Sequence, residues 1–214
     1  RREHDSAKAA GHFRAALAID PSHEDSRYYL ANCLANQGDA AGAVTQLDLL
    51  TEINSQSHRA FQRKGELIAA SASSRAELEA ARTVLNSALR LNSEETGTLV
   101  LLGEVDLALG DLPGAEQRLA HACQANARAA NAFFLRGYVA WKRHDGREAG
   151  AMLSAARTAL GPDWKPKGAA LEGDVKRRMY SESGFLNVFA EGWDGSPAPD
   201  HAYSRLDQYL RRFR

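Results

Sequence analysis

Much that would mark a function is missing from this 214-residue chain. It has two cysteines, Cys33 and Cys123, ninety residues apart, so neither a disulfide framework nor a metal-type pair is offered, and reduced, buried thiols are expected. Net charge is missing too: 27 basic residues balance 27 acidic ones, which removes the electrostatic footprint of a nucleic-acid binder. No apolar run approaches the length of a membrane span. "RREHDSAKAA" at the start is not a signal peptide. No phosphate-binding glycine loop, Ser-His-Asp arrangement or paired carboxylates with an enzymatic pattern can be found. These absences predict a non-enzyme without cofactor or metal.

What is abundant is alanine, with 39 residues, and arginine outnumbers lysine 21 to 6. Alanine is the best helix former, so the chain is read as mostly helical; the arginine bias fits a GC-rich bacterial genome. Small residues recur at Ala31, Gly65, Gly103 and Gly137, spaced by 34, 38 and 34. A second column runs Ala9, Ala43, Ala81, Ala115 and Ala149, followed four residues later by Phe13, Leu47, Leu85, Leu119 and Leu153. A third runs Ala16, Leu50, Ala88, Ala122 and Ala156. Alanine at all five places of the second column has a chance of about two in ten thousand, so the repeat is real.

Two antiparallel helices joined by a short turn approach closely only where the contact residues are small. On that reasoning Gly103 faces Ala115 across "LGDLP", Ala122 leaves room for the next pair, and Leu119 fills the space between pairs. In "YYLANCL" with "GDAAGAVTQLDLL" (28–50), "LLGEVDLALGDLPGAEQRLAHA" (101–122) and "FFLRGYVAWKRHDGREAGAMLSAA" (133–156), the chain resembles the tetratricopeptide repeat family, whose unit is a 34-residue helix-turn-helix. The resemblance implies an all-α solenoid of antiparallel helix pairs over 1–160: a half unit at 1–21, then units at 24–55, 58–93, 96–127 and 130–160. Residues 161–214 are read as a helical C-terminal cap or tail. The 58–93 unit is four residues longer; Ser74 with Glu77 reads as a capping box, which places the insertion in the turn. The N-terminal half unit has a turn and second helix with no first helix, so the chain is expected to be part of a longer one. That leaves its compartment open between the cytoplasm and, as the alternative, the periplasm.

Asp5, Asp39, Asp111 and Asp145 recur at one repeat position, two of them after His4 and His144. A His-Asp pair invites thoughts of catalysis, but aspartate at a helix start accepts bonds from free N–H groups, and capping is the expected role. His121 and Cys123 point apart on a helix, and zinc would need two further ligands that the spacing does not offer.

The remaining candidate is a surface. The resemblance implies that first helices line a concave groove for peptides. By register, the first unit contributes Tyr28, Asn32 and Asn36, and the second Arg59, Gln62, Arg63 and Glu66. The third contributes Val100, Glu104 and Leu107, and the fourth Phe134, Tyr138, Trp141 and Lys142. Some family members clamp a chaperone's terminal carboxylate; Asn32 and Arg63 fit that set, but Gly97 and Leu101 stand where cations are needed.

The tail is rich in aromatics, which excludes a disordered linker. Leu171, Val175 and Met179 mark one helix, Phe185, Leu186, Phe189 and Trp193 another. Asp200 is expected to cap a last helix bearing Tyr203, Leu206, Leu210 and Phe213. The Leu171–Met179 helix is expected to pack against Leu153 and Ala156, and the Phe185–Trp193 segment to fold back on the repeats, towards Phe134 and Trp141, or to build a homodimer. The function implied is a protein–protein interaction scaffold that grips a peptide segment or helix of a partner. The alternative is the non-catalytic module of a larger glycosyltransferase, sulfotransferase or hydroxylase. The 34-residue spacing and neutral charge argue against RNA binding.

Overall fold

The computed structural model describes residues 2–164 and 193–213, with residues 2–5 as backbone only. Every regular element among them is helical: α1 (Arg2–Ile19), α2 (Glu24–Asn36), α3 (Ala40–Ile53), α4 (His58–Ser71), α5 (Arg75–Leu91), α6 (Thr96–Leu109), α7 (Leu112–Ala125), α8 (Ala130–Lys142), α9 (Gly146–Leu160) and α10 (Pro199–Leu210), with a 3₁₀ turn at Arg211–Phe213. From α2 to α9 the helices form consecutive pairs joined by two or three residues, and such short joints make the members of each pair antiparallel. The chain divides into two compact units, one of residues 1–72 and 80–93, the other of 73–79 and 94–214.

In the first unit, α1, α2, α3 and α4 close around Ala10, Leu30, Ala31, Cys33, Leu34, Ala43, Leu47, Leu50, Ala60 and Leu67, with Phe13, Leu17 and Tyr28 packed at the edge. The repeated columns supply this core because positions three and four apart share one face of a helix. Gly65 is small for a definable reason: a Cβ there would lie 2.5 Å from Leu85 Cγ.

The second unit repeats this arrangement and corrects one expectation. Across from Gly103 sits Leu119, whose Cδ2 would be 2.6 Å from an added Cβ. The leucine four residues after the alanine therefore seats on the glycine within its own pair, rather than filling space between pairs. Ala115 and Ala122 are fully buried beside it. Every residue from Thr98 to Leu109 on α6 is buried, including Asp106, whose Oδ2 accepts from Arg118 Nε at 2.8 Å.

Three of the four recurring aspartates do cap helices. Asp39 accepts from Gly42 N at 2.8 Å, Asp111 from Gly114 N at 3.0 Å, and Asp145 from Glu148 N at 2.9 Å. Asp5 does not start a helix, because α1 already runs from Arg2 through it. Just before the three caps, Gly38, Gly110 and His144 take positive φ of 85°, 81° and 62°, the left-handed step that turns the chain. His144 thus occupies a glycine place, and its neighbour Asp145 is engaged in capping.

The capping box is present: Ser74 Oγ accepts from Glu77 N at 3.3 Å, and Glu77 Oε2 accepts from Ser74 N at 3.0 Å. The insertion, however, is not in the turn. The 72–74 joint is as short as the 37–39 joint, while α5 has 17 residues against 14 in α3 and α7. The extra residues add nearly a turn to the start of α5.

Leu171, Val175, Met179, Phe185, Leu186 and Phe189 lie outside the described residues. Trp164 and Trp193, on either side of that stretch, stack with ring centroids 5.4 Å apart. α10 begins two residues earlier than the sequence implies. Ala198 is its N-cap and makes no side-chain bond, and Asp200 falls inside the first turn.

Candidate functional site

Residues one repeat length apart become neighbours on adjacent first helices, and this builds the α2–α4 face. Asp25 and Arg59, 34 residues apart, form an ion pair, and the Arg59 guanidinium lies 4.8 Å from the centre of the Tyr28 ring. The hydrogen bond from Arg59, and then its charge, hold the Asp25 carboxyl below its ordinary range. Arg63 Nε donates to Asn32 Oδ1 at 2.9 Å, and its Nη1 to Glu66 Oε2 at 2.6 Å. Of the candidates, Tyr28, Asn32, Arg59, Gln62, Arg63 and Glu66 are partly exposed and Asn36 is exposed. Asp25 was not singled out from the sequence, although its charge and its 34-residue distance from Arg59 are visible there. The result is a polar, half-open face with paired charges, suited to hydrogen bonding with an extended or helical ligand.

The second unit holds the apolar candidates in a different state. Val100, Glu104, Leu107, Phe134 and Tyr138 are all at most 1% exposed, while Trp141 and Lys142 remain partly exposed. On α8, the cover is the chain's own C-terminal segment. Tyr203 of α10 inserts among Phe134, Tyr138 and Trp141, with ring centroids at 5.0, 5.9 and 6.1 Å. Trp193 packs on Phe134 at 5.2 Å. Of the Phe185–Trp193 segment expected here only Trp193 is among the described residues, and most of the cover comes instead from the last helix.

Polar anchors fix the register of α10. Asp207 Oδ1 accepts from Tyr138 Oη at 2.7 Å and from Lys142 Nζ at 2.9 Å, and its Oδ2 accepts from Arg211 Nη2 at 2.9 Å. Trp141 Nε1 donates to Asp200 Oδ1 at 2.6 Å. Burial pushes the Asp207 carboxyl up, but the bonds from Tyr138, Lys142 and Arg211 outweigh it and hold the group at about 2. Asp200, Tyr203 and Asp207 lie three and four residues apart, one face of a helix. Leu206 and Leu210 are buried beside them.

The fit has a flaw. The Tyr203 hydroxyl is buried with no hydrogen-bond partner among the described residues and is directed at Gly137, where an added Cβ would overlap it. A buried hydroxyl left unpaired costs about 1–3 kcal/mol. Gly137 is the residue that makes room for it.

The tempting chemical groups have structural surroundings. Cys33 lies in the first core. Burial pushes the Cys123 thiol up to about 11, which disfavours the nucleophilic thiolate at neutral pH. His121 Nε2 lies 3.0 Å from Glu94 Oε1. No group of three His, Cys, Asp or Glu side chains is arranged for a metal among the described residues, and no described helix is long and apolar enough to cross a membrane.

Residues 1–64 match the family described as Tetratricopeptide repeat. No curated protein matches in sequence. The fold is similar to that of the solved structure of MamA, at 19% identity and TM-score 0.66, covering 72% of this chain and 88% of that one. It is also similar to PilF of Pseudomonas aeruginosa, at 18% identity and TM-score 0.66, covering 97% and 84%. A third similar structure is YrrB, described as a TPR protein with an unusual peptide-binding site, at 19% identity and TM-score 0.60, covering 75% and 80%. With a repeat of 34 residues, the family match over residues 1–64 and this shared fold, the chain has the fold of a tetratricopeptide repeat solenoid.

Proposed function

We propose that this protein is an interaction scaffold, receiving a peptide segment or helix of a partner protein on the first helices of its pairs. The observation that carries the reading is that α8 already holds a helix. Aromatic rings of Phe134, Tyr138 and Trp141 surround one side chain of α10, while Tyr138, Trp141 and Lys142 hold its two carboxylates. A surface that binds a helix in this way combines buried aromatic anchors with charge-assisted bonds that fix register, the usual economy of a protein interface. The similarity to YrrB supports peptide recognition as the general task.

In the first unit, Tyr28, Asn32, Asn36, Arg59, Gln62, Arg63 and Glu66 form the corresponding face for an external partner. Its paired charges favour a ligand that hydrogen bonds rather than one that buries oil. In the second unit, Val100, Glu104, Leu107, Phe134, Tyr138, Trp141 and Lys142 are the apolar counterpart.

The test is affinity capture, followed by re-binding of the identified partner in purified form. Tyr28→Ala with Asn32→Ala should weaken that binding by about 2 kcal/mol, roughly thirtyfold, as loss of a central anchor does. The circular dichroism of the variant should stay near wild type. Equal binding by wild type and variant would remove the first face from the proposal.

A further inference from the structure

The chemistry that seats α10 is that of a ligand. A cap that only closes an apolar end needs apolar contacts, yet α10 brings two carboxylates into register with α8. Asp200 meets the Trp141 N–H, and Asp207 meets the Tyr138 hydroxyl and the Lys142 ammonium. Asp207 is buried while Asp200 stays exposed, and taking a carboxylate out of water is repaid only when its partners are well placed, so the Asp207 contacts chiefly select which sequence binds and in which register. The occupant is also imperfect, because its central aromatic carries a buried hydroxyl with no partner among the described residues, pressed towards Gly137. A helix with phenylalanine at that place would keep the ring contacts with Phe134, Tyr138 and Trp141 and lose the flaw.

From these observations we infer that the α8 face is a helix-recognition site, held in this chain by a built-in occupant that a partner helix displaces. The inference rests on the interaction-scaffold reading and deepens it. The partner it fits is an amphipathic helix with a carboxylate, an aromatic residue three positions later and a second carboxylate four positions after that. Apolar residues stand three and seven positions beyond the aromatic, as Leu206 and Leu210 do after Tyr203. Phenylalanine is the preferred aromatic, since the described residues around the Tyr203 hydroxyl offer no partner for an oxygen. While α10 is in place the site is closed, so recognition depends on competition between a tethered helix and an external one.

The probe is a fluorescein-labelled synthetic peptide of residues 193–213, and the receptor is the full chain. Tyr203→Ala with Asp207→Ala in the chain weakens the occupant without altering any residue of α8. This variant should bind the peptide at least tenfold more tightly than the wild-type chain does. A peptide with phenylalanine in place of Tyr203 should bind about tenfold more tightly still, and Gly137→Leu added to the variant should abolish binding. Failure of the variant to bind the peptide would overturn the inference. So would loss of its helical circular dichroism or of cooperative unfolding, because a ligand can be removed without unfolding its receptor. If sedimentation shows the wild-type chain as a dimer that the peptide dissociates, the occupant is a second copy's helix, and the external-partner inference is overturned. Partner capture through Tyr28 and Asn32 is independent of all these outcomes, so the scaffold reading can survive the failure of this one.

Discussion

Gly137→Ala is the sharpest available perturbation of the contact between α8 and α10. Alanine in a helix interior is better than glycine by about 1 kcal/mol, so a site with space would be stabilised by that amount. Here the new Cβ would overlap the Tyr203 hydroxyl, the tip of a rigid ring, and would lie 3.0 Å from Met152 Cβ. Overpacking of this kind costs about 1–3 kcal/mol, which leaves a net loss of about 1 kcal/mol. Tyr203→Phe alone removes the unpaired hydroxyl and should stabilise by about 1 kcal/mol. In the double variant the nearest ring atom is Cζ at 3.1 Å, so most of the overlap is relieved. The double variant should therefore exceed the sum of the single effects by about 1–2 kcal/mol, a coupling expected only of groups in contact. Urea unfolding followed by tryptophan fluorescence reads the right part of the molecule, since Trp141, Trp164 and Trp193 all belong to the second unit. Stabilisation of about 1 kcal/mol by Gly137→Ala, additive with Tyr203→Phe, would refute the packing described for this contact.

Three further outcomes are expected. The Asp207 carboxyl sits at about 2, below its ordinary 3.8, so its contribution of about 2 kcal/mol is fully present above pH 4 and is lost as pH falls through 2. Asp207→Asn should abolish that contribution, so the stability gap between wild type and variant, read by urea unfolding, should narrow from pH 5 to pH 2. A constant gap would contradict the assignment. His144→Gly should raise the thermal midpoint by a few degrees, since φ of 62° strains any residue with a Cβ by about 1 kcal/mol. Ala115→Leu should lower the urea midpoint by an amount equivalent to about 1–3 kcal/mol, because Ala115 is fully buried beside the seat of Leu119 on Gly103.

The helix pairs were legible in the sequence because each depends on local signals repeated at fixed spacing. Asp39, Asp111 and Asp145 cap where the column places them, and Ser74 with Glu77 marks a helix start. Less legible was what each small residue faces, since Ala115 and Leu119 lie on one stripe of a helix and spacing alone does not say which meets Gly103. The insertion at 58–93 was misplaced because a capping box fixes where a helix begins, not which side of it absorbs added residues. The cover over Tyr138 was the least legible, since Asp207 is 69 residues away and no local pattern joins them. The three-and-four spacing of Asp200, Tyr203 and Asp207 was still there to be read as one helix face with two acids and an aromatic. The left-handed turn at His144 was signalled by its alignment with Gly38 and Gly110.

The stack of Trp164 on Trp193 has a consequence for how the last helix is held. Trp193 touches two partners at once, with its ring centroid 5.4 Å from that of Trp164 and 5.2 Å from that of Phe134. Arg157, whose guanidinium lies 5.1 Å from the centre of the Trp164 ring, steadies the outer member of this chain of rings. One indole therefore links the turn after α9 to the aromatic cluster on α8, and substitution at either tryptophan should loosen the seat of α10 as well as the joint itself.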